Sequence, residues 1–91
     1  MIRLNVFVQV NEANYAEALA SAKELTAASL KENGCVAYDT FKSATRSDVF
    51  MICETWTNAE VLAAHQQAAH FVKCVGNIER LAKMKIEKFE F

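Results

Sequence analysis

The stretch DVFMICETWT, residues 48–57, constrains the fold of this chain more than any other segment. It is rich in β-branched and aromatic residues, which favour a β-strand. Successive side chains of a strand point to opposite faces. One face would carry Phe50, Ile52, Glu54 and Trp56, and the other Val49, Met51, Cys53 and Thr55. Both faces are largely apolar, so a sheet that contains this strand must be covered on both sides.

The size of the chain limits what can cover that sheet. With 91 residues it is a single domain, residues 1–91, and has no room for a second one. A domain of this size buries only a modest fraction of its surface. Yet 53% of the residues are hydrophobic. We therefore expect part of the apolar surface to be buried against a second copy of the chain.

Periodicity predicts the other elements. Residues 2–10 alternate as a strand, with the apolar face Ile2, Leu4, Val6, Val8 and Val10. Residues 12–32 have an apolar stripe at helical spacing, with Asn11 as N-cap and Asn33–Gly34 as the C-terminal signal. The stripe consists of Tyr15, Ala18, Leu19, Ala22, Leu25 and Ser29.

The second half of the chain continues the alternation of strands and helices. Residues 35–44 read as a strand that forms an antiparallel hairpin with 48–57. Thr57-x-x-Glu60 matches a capping box and predicts a helix from Asn58. Residues 82–91 read as a last strand, with a change of apolar phase that predicts a bulge near residues 87–88.

The resulting order is β-α-β-β-α-β, which predicts an α+β, ferredoxin-like fold. Two helices would cover one face of a four-stranded antiparallel sheet. The open face would pack on a second copy and form a homodimer.

Charge and hydropathy exclude several classes of function. The net charge is -1 and the charged residues are interspersed, so no nucleic-acid surface or polybasic membrane anchor is indicated. No apolar run approaches the roughly 18 residues of a membrane span. The first residues, MIRLNVFVQV, do not resemble a signal peptide, and we expect a cytoplasmic protein.

The sequence contains few signatures of metal or nucleotide sites. Three cysteines without a CxxC indicate buried thiols rather than disulfides or a zinc site. No glycine-rich phosphate loop, GxSxG or HExxH occurs. His65 and His70 are five residues apart, which is a poor spacing for two ligands on one regular helix face, so a metal site is disfavoured.

The two histidines differ in the direction that a regular helix would give them. His65 lies within about 60° of Val61, on the apolar side of the second helix. It is either a buried structural histidine or, if it borders a cavity, an acid–base group. His70 would point away from Val61 and can turn inward only if the helix breaks near residues 67–69.

Three further polar residues are candidates for a site. Glu54 needs a hydrogen-bond or charge partner on whichever strand face it occupies, and His65 is one option. The indole of Trp56 needs an acceptor if it is buried. Asn5 is unfavourable inside a strand on propensity, so it is either functional or placed at a solvated or interface position.

The stretch ETWTNAEVLAAHQQAAHF, residues 54–71, resembles the antibiotic biosynthesis monooxygenase family of the dimeric α+β barrel superfamily. The family pattern is roughly E-x-W/Y, a few polar residues, A-x-H, a small residue and H-F. It maps onto Glu54, Trp56, residues 63–65, Ala68 or Ala69, and His70–Phe71. With the order of elements, the resemblance covers nearly the whole chain.

The resemblance implies a homodimer with one pocket per subunit, between the sheet and the helices. Some relatives oxidise small quinols, phenols or polycyclic aromatics with dioxygen and no cofactor. By this resemblance His65 would be the base, Asn5 and Trp56 would stabilise the anion, and other residues would bind the substrate. The substrate-binding set would be Phe50, Ile52, Glu54, His70 and Phe71.

Two alternatives remain on the same scaffold: a small-molecule enzyme that is not an oxygenase, such as an isomerase, and a ligand-binding dimer without catalysis. Haem degradation is disfavoured. Relatives that degrade haem have a tryptophan and an iron-ligating histidine where this chain has His65 and Val75.

Overall fold

The computed structural model describes residues 1–91 and has four strands and three helices. The strands are β1 (Ile2–Val10), β2 (Cys35–Lys42), β3 (Val49–Trp56) and β4 (Ala82–Glu90). The helices are α1 (Glu12–Ser29), α2 (Ala59–Gln67) and α3 (Ala69–Leu81). The strands form one antiparallel sheet in the order β2-β3-β1-β4, with the helices on one face. The predicted ferredoxin-like arrangement is confirmed, except that its second helix is divided in two.

The core lies between the helices and the sheet, and its β1 and α1 parts follow the predicted apolar periods. All five apolar positions of β1 are buried, with exposures between 0% and 8%. The predicted stripe of α1 is buried at Ala18, Leu19, Ala22, Leu25 and Ser29. The apolar faces of β1 and α1 are thus buried as the residue spacing of each element predicts.

The end of α1 comes earlier than predicted. The side chain of Asn11 caps its first turn by accepting from the backbone N–H of Asn14 at 3.0 Å, as expected. The helix stops at Ser29, and residues 30–34 form a turn. Gly34 closes this turn with φ +87°, a conformation that side chains with a Cβ rarely adopt. The turn leads directly into β2.

The helical segment after β3 differs from the prediction in its start and its continuity. Asn58, not Thr57, is the N-cap, and its side chain accepts from the N–H of Val61 at 3.0 Å. Ala68 then has an extended backbone (φ -66°, ψ 146°), which separates α2 from α3. The break changes the phase of the following residues, so Val72 is exposed although a continuous helix would have pointed it inward.

The predicted bulge in the last strand is wrong. The pairing of β1 with β4 is regular from Ile2–Glu90 to Val10–Ala82. The out-of-phase Phe89 instead lies on the open face opposite Arg3, and Phe91 lies beyond the strand with the Arg3 guanidinium 5.0 Å from its ring centroid. The sheet irregularity is in β2, between Cys35 and Ala37.

The open face of the sheet carries apolar side chains in cross-strand register. Phe7 pairs with Met51, which pairs with Phe41. Phe7 is 39% and Phe41 51% exposed, and Phe89 on the same face is 49% exposed. The helices leave this face uncovered. None of the three helices combines the length and the apolar character that a membrane span requires.

Candidate functional site

The site begins with two residues on the helix-facing side of β3. Glu54 and Trp56 are two positions apart, so they project to the same face, and both are buried at 4% and 0% exposure. The indole Nε1–H of Trp56 donates to Oε1 of Glu54 at 2.9 Å. Glu54 is therefore the acceptor that the buried indole needs, and the indole N–H is one of the partners that the buried carboxyl needs.

His65 projects from α2 onto this pair and is fully buried. Its ring lies over Trp56, with centroids 4.4 Å apart and planes tilted by 34°, and meets the edge of Phe71 at 5.0 Å. The Nε2 atom is 4.0 Å from Oε1 of Glu54 and has no hydrogen-bond partner. An unpaired buried nitrogen beside a carboxyl is unfavourable for stability alone.

The other nitrogen of His65 contacts a residue that sequence reasoning missed. Glu32, in the turn after α1, lies 2.5 Å from His65 Nδ1 and 2.9 Å from His70 Nε2, both distances measured to its Oε2 atom. The sequence predicts that His70 can turn inward only if the helix breaks near residues 67–69. The helix breaks at Ala68, and His70 turns inward. Glu32 precedes the turn signal Asn33–Gly34, but nothing else in the sequence distinguishes it from other surface carboxylates.

Burial dominates the electrostatics of the site. Desolvation raises the pKa of Glu54 above its ordinary value, although the Trp56 N–H and His65 act in the opposite direction. Burial also raises the pKa of the neighbouring Tyr38 phenol, and the carboxyl of Glu54 adds to this effect. The Tyr38 hydroxyl thus remains protonated, and Glu54 is a stronger base than an exposed carboxylate.

A mostly apolar cavity of about 60 Å³ adjoins Glu54. Tyr38, Ile52, Phe71 and Gln66 are among the residues that line it with Glu54. The remaining lining residues are Leu4, Val6, Leu25, Val75, Ile78, Met84 and Ile86. This volume holds one or two waters, whereas an aromatic ring needs on the order of 150 Å³. A ring can enter only if side chains at the rim move.

The predicted site residues on the helix side of the sheet separate into four groups. Glu54, Ile52 and Phe71 line the cavity, whereas His65 and Trp56 lie behind Glu54 and His70 lies with Glu32. The fully buried Phe50 packs edge-on against Tyr15 at 5.8 Å and is a core residue. It does not line the cavity.

The predicted place of Asn5 in the pocket is wrong. Asn5 pairs with Cys53, on the sheet face that points away from the helices. The alternation along β1 requires this, because its neighbours Leu4 and Val6 face the core. Asn5 therefore cannot contact a ligand held beside Glu54.

One group of side chains has the composition of a metal site. The ligand atoms of Glu32, His65 and His70 lie within 4.8 Å of one another, because the break at Ala68 removes the regular spacing that disfavoured such a site. However, the shared oxygen lies 2.5 and 2.9 Å from the two nitrogens. Tetrahedral ligands with bonds of about 2.1 Å lie roughly 3.4 Å apart. The group is therefore arranged as hydrogen-bonded donors and acceptor rather than as metal ligands.

Comparison with known proteins agrees with this architecture. The chain is 30% identical over 71 residues to “Putative monooxygenase YcnE” of Bacillus subtilis (strain 168), covering 78% of this chain and 75% of that protein. A crystal structure of a conserved protein from Bacteroides thetaiotaomicron VPI-5482, described as a “possible oxidoreductase”, is 71% identical. It matches with a TM-score of 0.97 and covers 99% of this chain and 96% of that one.

A more distant structure shows the fold alone. The “putative antibiotic biosynthesis monooxygenase” of Nitrosomonas europaea is 18% identical, with a TM-score of 0.94 over 100% of this chain and 98% of that one. The family model described as antibiotic biosynthesis monooxygenase matches residues 1–77. The chain therefore belongs to the antibiotic biosynthesis monooxygenase family.

Proposed function

We propose that this protein is a monooxygenase that oxidises a small quinol, phenol or polycyclic aromatic with dioxygen and needs no cofactor. The observation that carries the proposal is Glu54: a buried carboxyl with a raised pKa lines an apolar cavity, and the unpaired Nε2 of His65 lies 4.0 Å behind it. A base works best when its pKa lies near the operating pH. The pair is thus suited to take a proton from an acidic hydroxyl in an apolar pocket.

The reaction balances without another reductant. Glu54 takes the hydroxyl proton, and the bound phenolate transfers one electron to dioxygen. The aryloxyl radical and superoxide then combine through a new C–O bond to give a peroxide anion, which takes the proton back to become a hydroperoxide. Loss of water from it leaves a quinone, so a phenol and dioxygen yield a quinone and water. The site supplies the proton acceptor and an apolar enclosure for the ring.

His65 is the second proton acceptor in this proposal. The proton on Glu54 passes to His65 Nε2 once the two atoms approach from 4.0 Å to hydrogen-bonding distance. Trp56 holds Glu54 in place through its N–H and supports the ring of His65. Ile52 and Phe71 form apolar wall. His70 takes no direct part in binding the substrate.

Oxygen consumption with a panel of hydroquinones, naphthols and anthrones tests the proposal. With ¹⁸O₂, the product should contain one labelled oxygen. We expect His65→Ala and Glu54→Gln to lower kcat by on the order of 10²-fold or more. Glu24→Gln is the matched control, because Glu24 is a carboxylate on the surface of α1 that pairs with Lys73. Full activity of His65→Ala would exclude its role as an acceptor.

Binding is measured separately from turnover. Trp56 is the only tryptophan and contacts both Glu54 and His65, so its fluorescence should change when an aromatic ligand enters the cavity. Since the cavity must expand, rim variants such as Ile86→Ala should bind more tightly. Absence of any fluorescence change with every compound in the panel would contradict binding at this cavity.

An acid–base pair also suits a proton-transfer isomerase, the second candidate. The same Glu54–His65 geometry would move a proton between two carbon or oxygen positions of one substrate. Product mass distinguishes the two, because isomerisation adds no oxygen atom. Turnover without oxygen uptake would favour the isomerase.

The proposed active form is a homodimer formed through the open sheet face. Phe7, Phe41 and Phe89 are 39–51% exposed there, on a face that the helices leave bare. Exposed apolar side chains in register across several strands indicate a packing surface. A second copy of the same sheet supplies a matching face.

A further inference from the structure

Glu32 lies at the centre of a hydrogen-bonded group with His65 and His70. The proposed reaction as described above gives Glu32 no role. One of its carboxylate oxygens lies 2.5 Å from His65 Nδ1 and 2.9 Å from His70 Nε2. An ionised carboxylate can only accept hydrogen bonds. Both nitrogens that face it must therefore carry hydrogen.

The tautomer of His65 follows from this contact. A neutral imidazole has one N–H and one bare nitrogen. If Nδ1 holds the hydrogen against Glu32, Nε2 has the free lone pair. That atom is buried, lacks a hydrogen-bond partner and lies 4.0 Å from Oε1 of Glu54. The contact with Glu32 thus aims the basic nitrogen at the carboxyl that lines the cavity.

We propose that Glu32 is a positioning residue that holds His65 in the Nδ1–H tautomer and stabilises its imidazolium after it takes the proton from Glu54. This inference rests on the proposed function for its catalytic consequence, but the tautomer can be measured without a substrate. His70 donates the second hydrogen bond and fixes the carboxylate oxygen between the two rings. A carboxylate that orients a histidine in this way is a recurring device in acid–base catalysis.

The route of the proton follows the same atoms. It leaves Glu54 and binds to His65 Nε2, while Glu32 keeps its hydrogen bond from Nδ1 without taking that proton. The proton then returns from His65 Nε2 through Glu54 to the peroxide anion. His65 therefore ends the turnover as the Nδ1–H tautomer with which it began, and no proton is left over.

Other groups around His65 do not replace Glu32 in this role. From β3, Glu54 faces Nε2 and Trp56 stacks on the ring. From β2, the Tyr38 ring lies 5.8 Å away, and its raised pKa keeps the phenol neutral. From α3, His70 lies 6.0 Å away between ring centroids and contacts Glu32 rather than His65. Only Glu32 contacts Nδ1.

Local backbone structure supports the placement of Glu32. The turn that carries Glu32 is closed by Gly34 at φ +87°, and the break at Ala68 brings His70 to the same carboxylate. Two departures from regular structure thus converge on one side chain.

Histidine tautomers are measured by two-bond ¹H–¹⁵N correlation spectra of the ¹⁵N-labelled protein. In the unmodified protein near pH 8 we expect His65 to show a protonated Nδ1 and a bare Nε2. Glu32→Gln should keep this tautomer, since the amide oxygen still accepts, but should lower kcat by about tenfold or more with little change in KM. Glu32→Asp should restore part of kcat. Glu24→Gln should change neither quantity.

Glu32→Ala removes the acceptor and should shift His65 towards the Nε2–H tautomer. A bare Nδ1 in the unmodified protein, or an unchanged tautomer in Glu32→Ala, would overturn the inference. An unaltered kcat in Glu32→Gln would also overturn the positioning role. If Glu32→Ala does not fold, the unmodified protein still decides, because the inference fixes its tautomer. If no compound is turned over, the proposed function fails while the spectra still decide on Glu32.

Discussion

Trp56→Phe tests the pairing of Trp56 with Glu54. Phenylalanine keeps an aromatic ring that can pack on His65, but it removes the N–H that donates to Glu54 Oε1 at 2.9 Å. Because Glu54 is buried, the carboxylate loses a charge-assisted hydrogen bond. Such a bond contributes about 1.5–3 kcal/mol. The smaller ring leaves a void that costs on the order of 1 kcal/mol more.

The cost of this substitution should depend on pH. The Trp56 N–H favours the ionised form of Glu54, whose pKa is raised by burial. When Glu54 is protonated, only a neutral hydrogen bond is lost, which is worth about 0.5–1.5 kcal/mol. As pH rises through the pKa of Glu54 in the folded protein, the charged bond forms in the unmodified protein but not in the variant. The destabilisation should therefore grow from about 1.5–2.5 kcal/mol near pH 4.5 to about 2.5–4 kcal/mol at pH 8.

Urea unfolding at the two pH values measures this difference. Repeating it in a Glu54→Gln background completes a double-mutant cycle, and the neutral amide should abolish the pH dependence that arises from Glu54. The reasoning is refuted if Trp56→Phe costs the same at both pH values. It is equally refuted if the pH dependence persists unchanged in the Glu54→Gln background.

The remaining predictions concern the turn beside the site and the open face. Gly34→Ala should lower the free energy of unfolding by about 2–4 kcal/mol, because φ is +87° and the added Cβ would lie 2.6 Å from a methyl of Val61. Gly76→Ala is its matched control, since no atom lies within 4 Å of the added Cβ. That change in a helix interior should be neutral or raise stability by about 0.5–1 kcal/mol in urea unfolding. Phe7→Glu should convert the proposed dimer into a monomer, and light scattering measures the mass. An unchanged mass would place the dimer interface elsewhere.

The parts of the fold that were predicted correctly depend on neighbours in sequence. The buried faces of β1 and α1 follow from periods of two and 3.6 residues, and the Asn11 cap is a contact over three residues. The error at Thr57 is also local: Asn58, the next residue, caps equally well and takes the N-cap position. Local rules fix which face is apolar but leave a shift of one residue at a helix end undetermined.

The parts that were missed depend on contacts between distant residues. No proline or glycine marks the helix break at Ala68. The break accompanies the contact of His70 with Glu32, 38 residues away in sequence, and that contact requires the end of α1 to lie against the start of α3. Periodicity contains no information about such a pairing. The same limit hid Glu32, whose proposed role depends on its contacts with the two histidines.

The polar groups of the site are unfavourable for the stability of the fold, which argues against a purely structural role for them. A structural histidine is expected to have both nitrogens paired, yet His65 Nε2 has no partner and faces a carboxyl at 4.0 Å. Burial of Glu54 disfavours its charged form and so raises its pKa. Apolar residues of similar size would make this small core more stable. Titratable groups with perturbed pKa values beside a cavity are characteristic of functional sites. Packing alone does not explain the unpaired Nε2, whereas the proposed proton transfer requires a free nitrogen at this position.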